Sequence, residues 1–135
     1  MINSDIMPNM HLHISSKKPT IVIADDDPDI LDAMKMMLEL YDFTVETIAD
    51  GVVLPKLKEL QPQLLFLDIR MSGADGRTIC KELKAEAMTK HIPVVMISAN
   101  SNLKSSVKEA GANDYLAKPF DMNDLLNKVE KFVSN

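Results

Sequence analysis

The chain has 135 residues, of which 46% are hydrophobic and 26% are charged, and this composition is typical of one soluble globular domain. Its formal net charge of -5 argues against a nucleic-acid-binding surface, because phosphate backbones are bound by clustered Lys and Arg. We therefore expect no nucleic acid as a partner. Neither an apolar run of membrane-spanning length nor a secretory signal is present, so we also expect no membrane as a partner and a cytoplasmic location.

The first elements follow a leader without periodicity. Residues 1–18 are predicted to be flexible, and residues 19–135 to form one folded domain. The apolar run TIVIA at residues 20–24 predicts a buried strand, and Asp27 followed by Pro28 is typical of the start of a helix. The apolar face of this helix is predicted to consist of Ile30, Met34, Met37 and Leu38.

Strands and helices alternate along the rest of the chain. Further strands are predicted at 43–48, 63–68, 93–98 and 114–117. Helices are predicted at 52–61, from about Gly76 with Ile79, Leu83 and Ala87 four residues apart, at 102–111, and from Asp121 to near the C-terminus. Five strands alternating with five helices predict the α/β class, with a doubly wound five-stranded parallel sheet in the flavodoxin-like order 2-1-3-4-5.

Polar residues stand where four of the five predicted strands end. In a sheet of this order the carboxyl ends of these strands share one rim, where ligands bind. One aspartate suffices to cap the first helix, so the acids before Asp27 need another explanation. A hard divalent cation such as Mg2+ would neutralise clustered carboxylates. The residues predicted to converge at this rim are Asp25, Asp26, Asp68, Ser98 and Lys118.

Four segments resemble the motifs of response-regulator receiver domains, and the resemblance covers about residues 19–133. The segments read VIADDDPDI, LLFLDIRMSGADG, MISAN and YLAKPF. Because they lie at four separate strand ends, together they are more specific than any single short motif. The resemblance implies a signalling protein rather than an enzyme, which accepts a phosphoryl group from a histidine kinase or a phosphotransfer protein.

The resemblance also implies roles for the acids. Asp68 would be the phosphoryl acceptor and would share a Mg2+ ion with Asp25, Asp26 and the backbone carbonyl of Arg70. Where the family usually has proline, this chain has Ser72, which predicts a more mobile loop after the acceptor.

Three further residues would act once the phosphoryl group is present. Ser98 and Lys118 would contact its oxygens, and Tyr115 would turn inward as the Ser98 hydroxyl moves. The fourth helix, fifth strand and fifth helix would then present a changed surface to a downstream target protein. Because the chain ends soon after the fifth helix, a stand-alone regulator is expected, with a phosphorelay intermediate and an excised receiver as alternatives.

Three other classes of protein fit the sequence less well. A magnesium-dependent phosphatase with an aspartyl-phosphate intermediate would need an acid two residues after Asp68, where this chain has Arg70. A flavin or nucleotide module would need a glycine-rich phosphate loop, which the four glycines do not form. A non-phosphorylated scaffold would be expected to lack some of the acids or the lysine.

Overall fold

A five-stranded parallel sheet dominates the computed structural model, which describes residues 19–99 and 104–133. In chain order the strands are β1 (Thr20–Ala24), β2 (Thr44–Ile48), β3 (Leu64–Asp68), β4 (Arg70–Met71), β5 (Ala74–Asp75), β6 (Val94–Ser98) and β7 (Asp114–Ala117). The sheet has the order β2-β1-β3-β6-β7, while β4 and β5 form a separate ribbon. Without that ribbon the order is the predicted 2-1-3-4-5, and the fold prediction is confirmed.

Helices cover both faces of the sheet. Those of the described residues are α1 (Pro28–Glu39), α2 (Leu54–Leu60), α3 (Gly76–Ala85), α4 (Lys104–Glu109) and α5 (Met122–Phe132). The apolar sides of α1 and α5 pack in one core cluster, and those of α2, α3 and α4 pack in another on the opposite face. Since both faces are covered, β1, β3 and β6 are almost completely buried, which explains their continuous apolar sequences.

The predicted leader at residues 1–18 lies outside the described residues, so it stays a prediction, as do the domain bounds. Within 19–99 and 104–133, every helix is too short or too polar to cross a membrane.

The prediction that the third helix continues to Ala87 is wrong. Helix α3 ends at Ala85, and Ala87 is exposed in the turns that follow. The helix stops because Glu86 adopts an extended conformation and the buried Thr89 hydroxyl donates a hydrogen bond of 2.7 Å to the Leu83 carbonyl oxygen. Cys80 is buried within α3, and burial raises the pKa of its thiol to about 11.

Helix α5 is tied to the sheet by the carboxylate of Asp114. Lys128 and Lys131 donate to its Oδ2 over 3.0 and 2.9 Å, and the backbone N–H of Tyr115 donates to its Oδ1 over 2.8 Å. Burial raises the pKa of Asp114, but these hydrogen bonds outweigh burial and hold the pKa below its ordinary value.

We expect Asp114→Asn to lower the free energy of unfolding at pH 7 by about 1 kcal/mol, because partly exposed ion pairs are partly screened by water. A depressed pKa stabilises the fold above the unfolded value of about 3.9, and this stability is lost as pH falls through the folded pKa. Urea denaturation at pH 7 and in acid should therefore show a difference that vanishes in acid. The exposed Glu130→Gln on the same helix is the control, and a loss independent of pH would contradict the account.

Candidate functional site

The carboxyl ends of β1, β3, β6 and β7 bring four polar side chains to one rim of the sheet. Asp25 directly follows β1, and its backbone N–H donates to the Ile48 carbonyl oxygen over 3.0 Å. Asp68 and Ser98 are the last residues of β3 and β6. Lys118 follows β7, and its backbone N–H donates to the Ser98 carbonyl oxygen over 2.9 Å. The parallel register of the sheet therefore sets where each of these residues leaves the core.

Three carboxylates meet at this rim. One oxygen from each of Asp25, Asp26 and Asp68 lies within 4.8 Å of the other two. Asp25 is completely buried and Asp68 is 7% exposed, whereas Asp26 faces solvent. The backbone N–H of Asp27 donates to Asp25 Oδ1 over 2.9 Å and fixes that carboxylate in place. The cluster is thus a partly open set of hard oxygen donors, and it fits the chemistry of Mg2+.

Lys118 supplies a positive charge to two of the three acids. Its Nζ lies 3.3 Å from Asp25 Oδ2 and 3.2 Å from Asp68 Oδ2. Burial lowers the pKa of Lys118, but the charges of Asp68 and Asp25 outweigh it and hold the pKa above its ordinary value. The ammonium is therefore charged at neutral pH and bridges the two buried carboxylates. The Lys118–Pro119 peptide bond is cis.

The Asp68 carboxylate is costly to ionise. Burial raises its pKa most, and the charge of Asp25 raises it further. Lys118 and the backbone N–H of Arg70, 3.3 Å from Asp68 Oδ1, lower the pKa without cancelling the rise. One ammonium thus leaves the cluster short of positive charge, and a cation beside Asp68 would relieve the repulsion.

Ser98 and Tyr115 stand beside the acids, on β6 and β7. Ser98 is buried, and Tyr115 is partly buried with its hydroxyl donating to the Ser98 carbonyl oxygen over 3.4 Å. The Tyr115 ring also lines a cavity of about 540 Å3 against α4. The tyrosine therefore bridges the rim of the sheet and α4, while its predicted movement stays a prediction.

The loop after Asp68 contains a two-stranded antiparallel ribbon that was not predicted from the sequence. Arg70 pairs with Asp75 and Met71 with Ala74 in the antiparallel ribbon of β4 and β5, which turns at Ser72 and a left-handed Gly73 with φ of 72°. The dipeptide Ser72-Gly73 between two apolar residues is typical of a tight turn, and from it the ribbon could have been predicted. Met71 is buried in the core and attaches the ribbon to it, while the predicted mobility of this loop stays a prediction. The Arg70 side chain is exposed, and its carbonyl as a Mg2+ ligand remains a prediction.

Gly76 begins α3, as predicted, but its close contact with the end of β3 was not predicted from the sequence. A Cβ at this position would overlap the carbonyl oxygen of Asp68 and lie 2.9 Å from the Cα of Ile69. The Gly76 backbone N–H donates to the Ile69 carbonyl oxygen over 2.7 Å. The absence of a side chain at Gly76 therefore lets α3 pack directly against the backbone of Asp68 and Ile69.

Known proteins with similar sequences and structures include several response regulators. The chain is 38% identical over 118 residues to the DNA-binding dual master transcriptional regulator RpaA of Synechocystis sp., an alignment that covers 85% of this chain and 49% of RpaA. A putative response regulator from Chloroflexus aurantiacus has 33% identity and a TM-score of 0.81, with 85% of this chain and 97% of that chain covered.

A second similar structure holds a metal ion. The receiver domain of the sensor histidine kinase PA1611 from Pseudomonas aeruginosa, solved with magnesium coordinated in its active-site cleft, has a TM-score of 0.79. It is 24% identical, and the match covers 86% of this chain and 98% of that chain. This level of identity shows a common fold.

The expectation that nucleic acid is not a partner is wrong. RpaA is a DNA-binding regulator by name, and the chain spans about half the length of the curated relatives that it matches. The net charge of -5 counts only the residues of this chain, and it says nothing of the half of those relatives that the chain does not match.

The family itself is shown by a match along most of the chain. The family model of the response regulator receiver domain matches residues 21–130. This range includes the acids after β1, the acid that ends β3, the hydroxyl that ends β6 and the lysine after β7. The chain therefore belongs to the response regulator receiver domain family, whose members are signalling proteins of two-component systems.

Proposed function

We propose that Asp68 accepts a phosphoryl group from a histidine kinase or a phosphotransfer protein in a reaction that requires Mg2+. The observation that carries this proposal is the contact of Lys118 with the buried carboxylates of Asp25 and Asp68. One oxygen of each of these carboxylates also lies within 4.8 Å of an oxygen of Asp26. Among the three acids of the cluster, Asp68 is the one that ends the central strand β3.

In the proposed reaction a carboxylate oxygen of Asp68 forms a bond to phosphorus while the bond from phosphorus to the donor histidine nitrogen breaks. Lys118, already 3.2 Å from Asp68 Oδ2, would offset negative charge on the transferred group. Asp25, Asp26, Asp68 and the Arg70 carbonyl would hold Mg2+, which supplies charge neutralisation when bound. Because Asp25 is buried and hydrogen-bonded, its position is preorganised.

The signal would leave the site through Ser98 and Tyr115. The Ser98 hydroxyl would hydrogen-bond the new phosphoryl oxygens, and Tyr115 would follow into the space beside β6. The surface formed by α4, β7 and α5 would change and signal to a partner protein. The similarity to RpaA supports a transcriptional output, in which this surface controls a protein region that binds DNA.

Acetyl phosphate with Mg2+ should add one phosphoryl group to the protein, and tryptic-peptide mass analysis should locate it on Asp68. We expect no modification in Asp68→Asn or with EDTA, because the first removes the nucleophile and the second removes the cation. The exposed Asp50→Asn is the matched control and should be modified like the wild type. Modification that persists in Asp68→Asn, or lies on another residue, would contradict the proposal.

A further inference from the structure

A charged network connects the start of α3 with α4, and none of the roles above uses it. The Arg77 side chain donates two hydrogen bonds to Asp75, from Nε to Oδ1 over 3.0 Å and from Nη2 to Oδ2 over 2.6 Å. Its remaining Nη1 reaches 29 residues along the chain and donates to Ser106 Oγ over 3.0 Å. We call this arrangement of Asp75, Arg77 and Ser106 the Arg77 fork.

At one end, the Arg77 fork contacts the loop of residues 69–75 that follows Asp68, which we call the acceptor loop. Asp75 pairs with Arg70 in the ribbon and caps α3 by accepting the backbone N–H of Arg77 over 2.8 Å. The next residue, Gly76, packs so closely on the backbone of Asp68 that a side chain there would overlap it. The hydrogen bonds from the Arg77 side chain also hold the pKa of Asp75 below its ordinary value. A shift of the backbone at Asp68 therefore reaches Asp75 and Arg77 through direct contacts.

At its other end, the Arg77 fork contacts α4, a helix that buries little apolar surface. Helix α4 spans six residues in the described part of the chain, and Val107 is its buried residue. Most of its other side chains face solvent, namely Lys104, Ser105, Lys108 and Glu109. Because little apolar area holds α4, one charge-assisted hydrogen bond contributes a large part of its attachment.

We propose that the Arg77 fork couples the acceptor loop to α4, so that a change at Asp68 alters the position or the stability of this helix. Arg77 and Ser106 are positioning residues, since neither contacts the acid cluster. The route runs along β4, β5 and α3, and it is separate from the route through Ser98 and Tyr115. This inference rests on the proposed function, because it assumes that Asp68 is the residue that changes.

The test compares Ser106→Ala with Ser105→Ala, two changes of equal chemistry on neighbouring residues of one helix. Amide hydrogen exchange of residues 104–110 is measured with and without beryllofluoride and Mg2+, a mimic of the phosphoryl group. In the ligand-free protein, we expect Ser106→Ala to speed exchange in α4 about 3–10-fold relative to Ser105→Ala. Beryllofluoride should change α4 exchange in wild type and Ser105→Ala, and this change should be about fivefold smaller in Ser106→Ala.

Arg77→Lys is a second variant that keeps the charge but cannot form the three-pronged contact. It should reproduce the loss of the α4 response, and combining it with Ser106→Ala should add little, since both remove one interaction. Equal exchange and equal responses in Ser106→Ala and Ser105→Ala would overturn the inference. A wild type that fails to bind beryllofluoride at Asp68 would instead refute the proposed function, and the ligand-free comparison would then decide whether the fork anchors α4.

Discussion

Gly76→Ala is expected to lower the free energy of unfolding by about 3 kcal/mol and to slow phosphorylation of Asp68. The added methyl group would overlap the carbonyl oxygen of Asp68 and crowd the backbone of Ile69, and neither can move as a flexible side chain can. Helix propensity alone predicts the opposite sign, because alanine is favoured over glycine by about 1 kcal/mol in helices. The expected loss therefore comes from the tertiary contact between α3 and the acceptor loop.

Gly73→Ala separates this clash from ordinary glycine effects. Gly73 has a φ of 72° and open space around the position of a Cβ. Alanine there should cost about 1–2 kcal/mol for the left-handed conformation, and it should leave the rate of phosphorylation by acetyl phosphate close to that of the wild type. Urea denaturation and a phosphorylation time course on both variants make the comparison. Normal stability and a normal rate in Gly76→Ala would show that the close packing on Asp68 does not matter.

Lys118→Gln is expected to slow phosphorylation by about 100-fold, because it removes a fixed positive charge from a site where negative charge develops. The same variant leaves Asp25 and Asp68 buried beside each other without the ammonium that lies 3.3 and 3.2 Å from them. Without metal, we expect a loss of about 2 kcal/mol in the free energy of unfolding, less than for a deeply buried pair because Lys118 is partly exposed.

Adding Mg2+ should return much of that stability, because a cation bound between the carboxylates supplies the missing positive charge. It should return less of the phosphorylation rate, since the amine acts on the transferred group itself. Thermal denaturation in EDTA and in Mg2+ distinguishes the two effects, and the exposed Lys56→Gln is the matched control. A variant as stable as the wild type in EDTA would show that Lys118 does not compensate the buried acids.

The layers of the fold and the rim of the candidate site could be predicted from residue patterns along the chain. The apolar runs of β1, β3 and β6 could be recognised because a strand covered on both faces has no polar side to alternate with. Asp27 and Pro28 marked the start of α1 through local capping, and Asp27 does accept the backbone N–H of Asp29 over 2.9 Å. These features depend on residues close together in the chain, so a pattern of types and spacings is enough to predict them.

The contacts that hold the candidate site and connect it to α4 join residues that are far apart in the chain, so they could not be predicted in this way. The contacts of Lys118 with Asp68 and Asp25 span 50 and 93 residues, and the contact of Arg77 with Ser106 spans 29. The overlap that excludes a side chain at Gly76 likewise depends on how α3 meets the end of β3. Periodicity and capping are set by neighbours along the chain, whereas these distances are set by the packing of helices on the sheet. For that reason a local pattern could name the residues of the rim but not their partners.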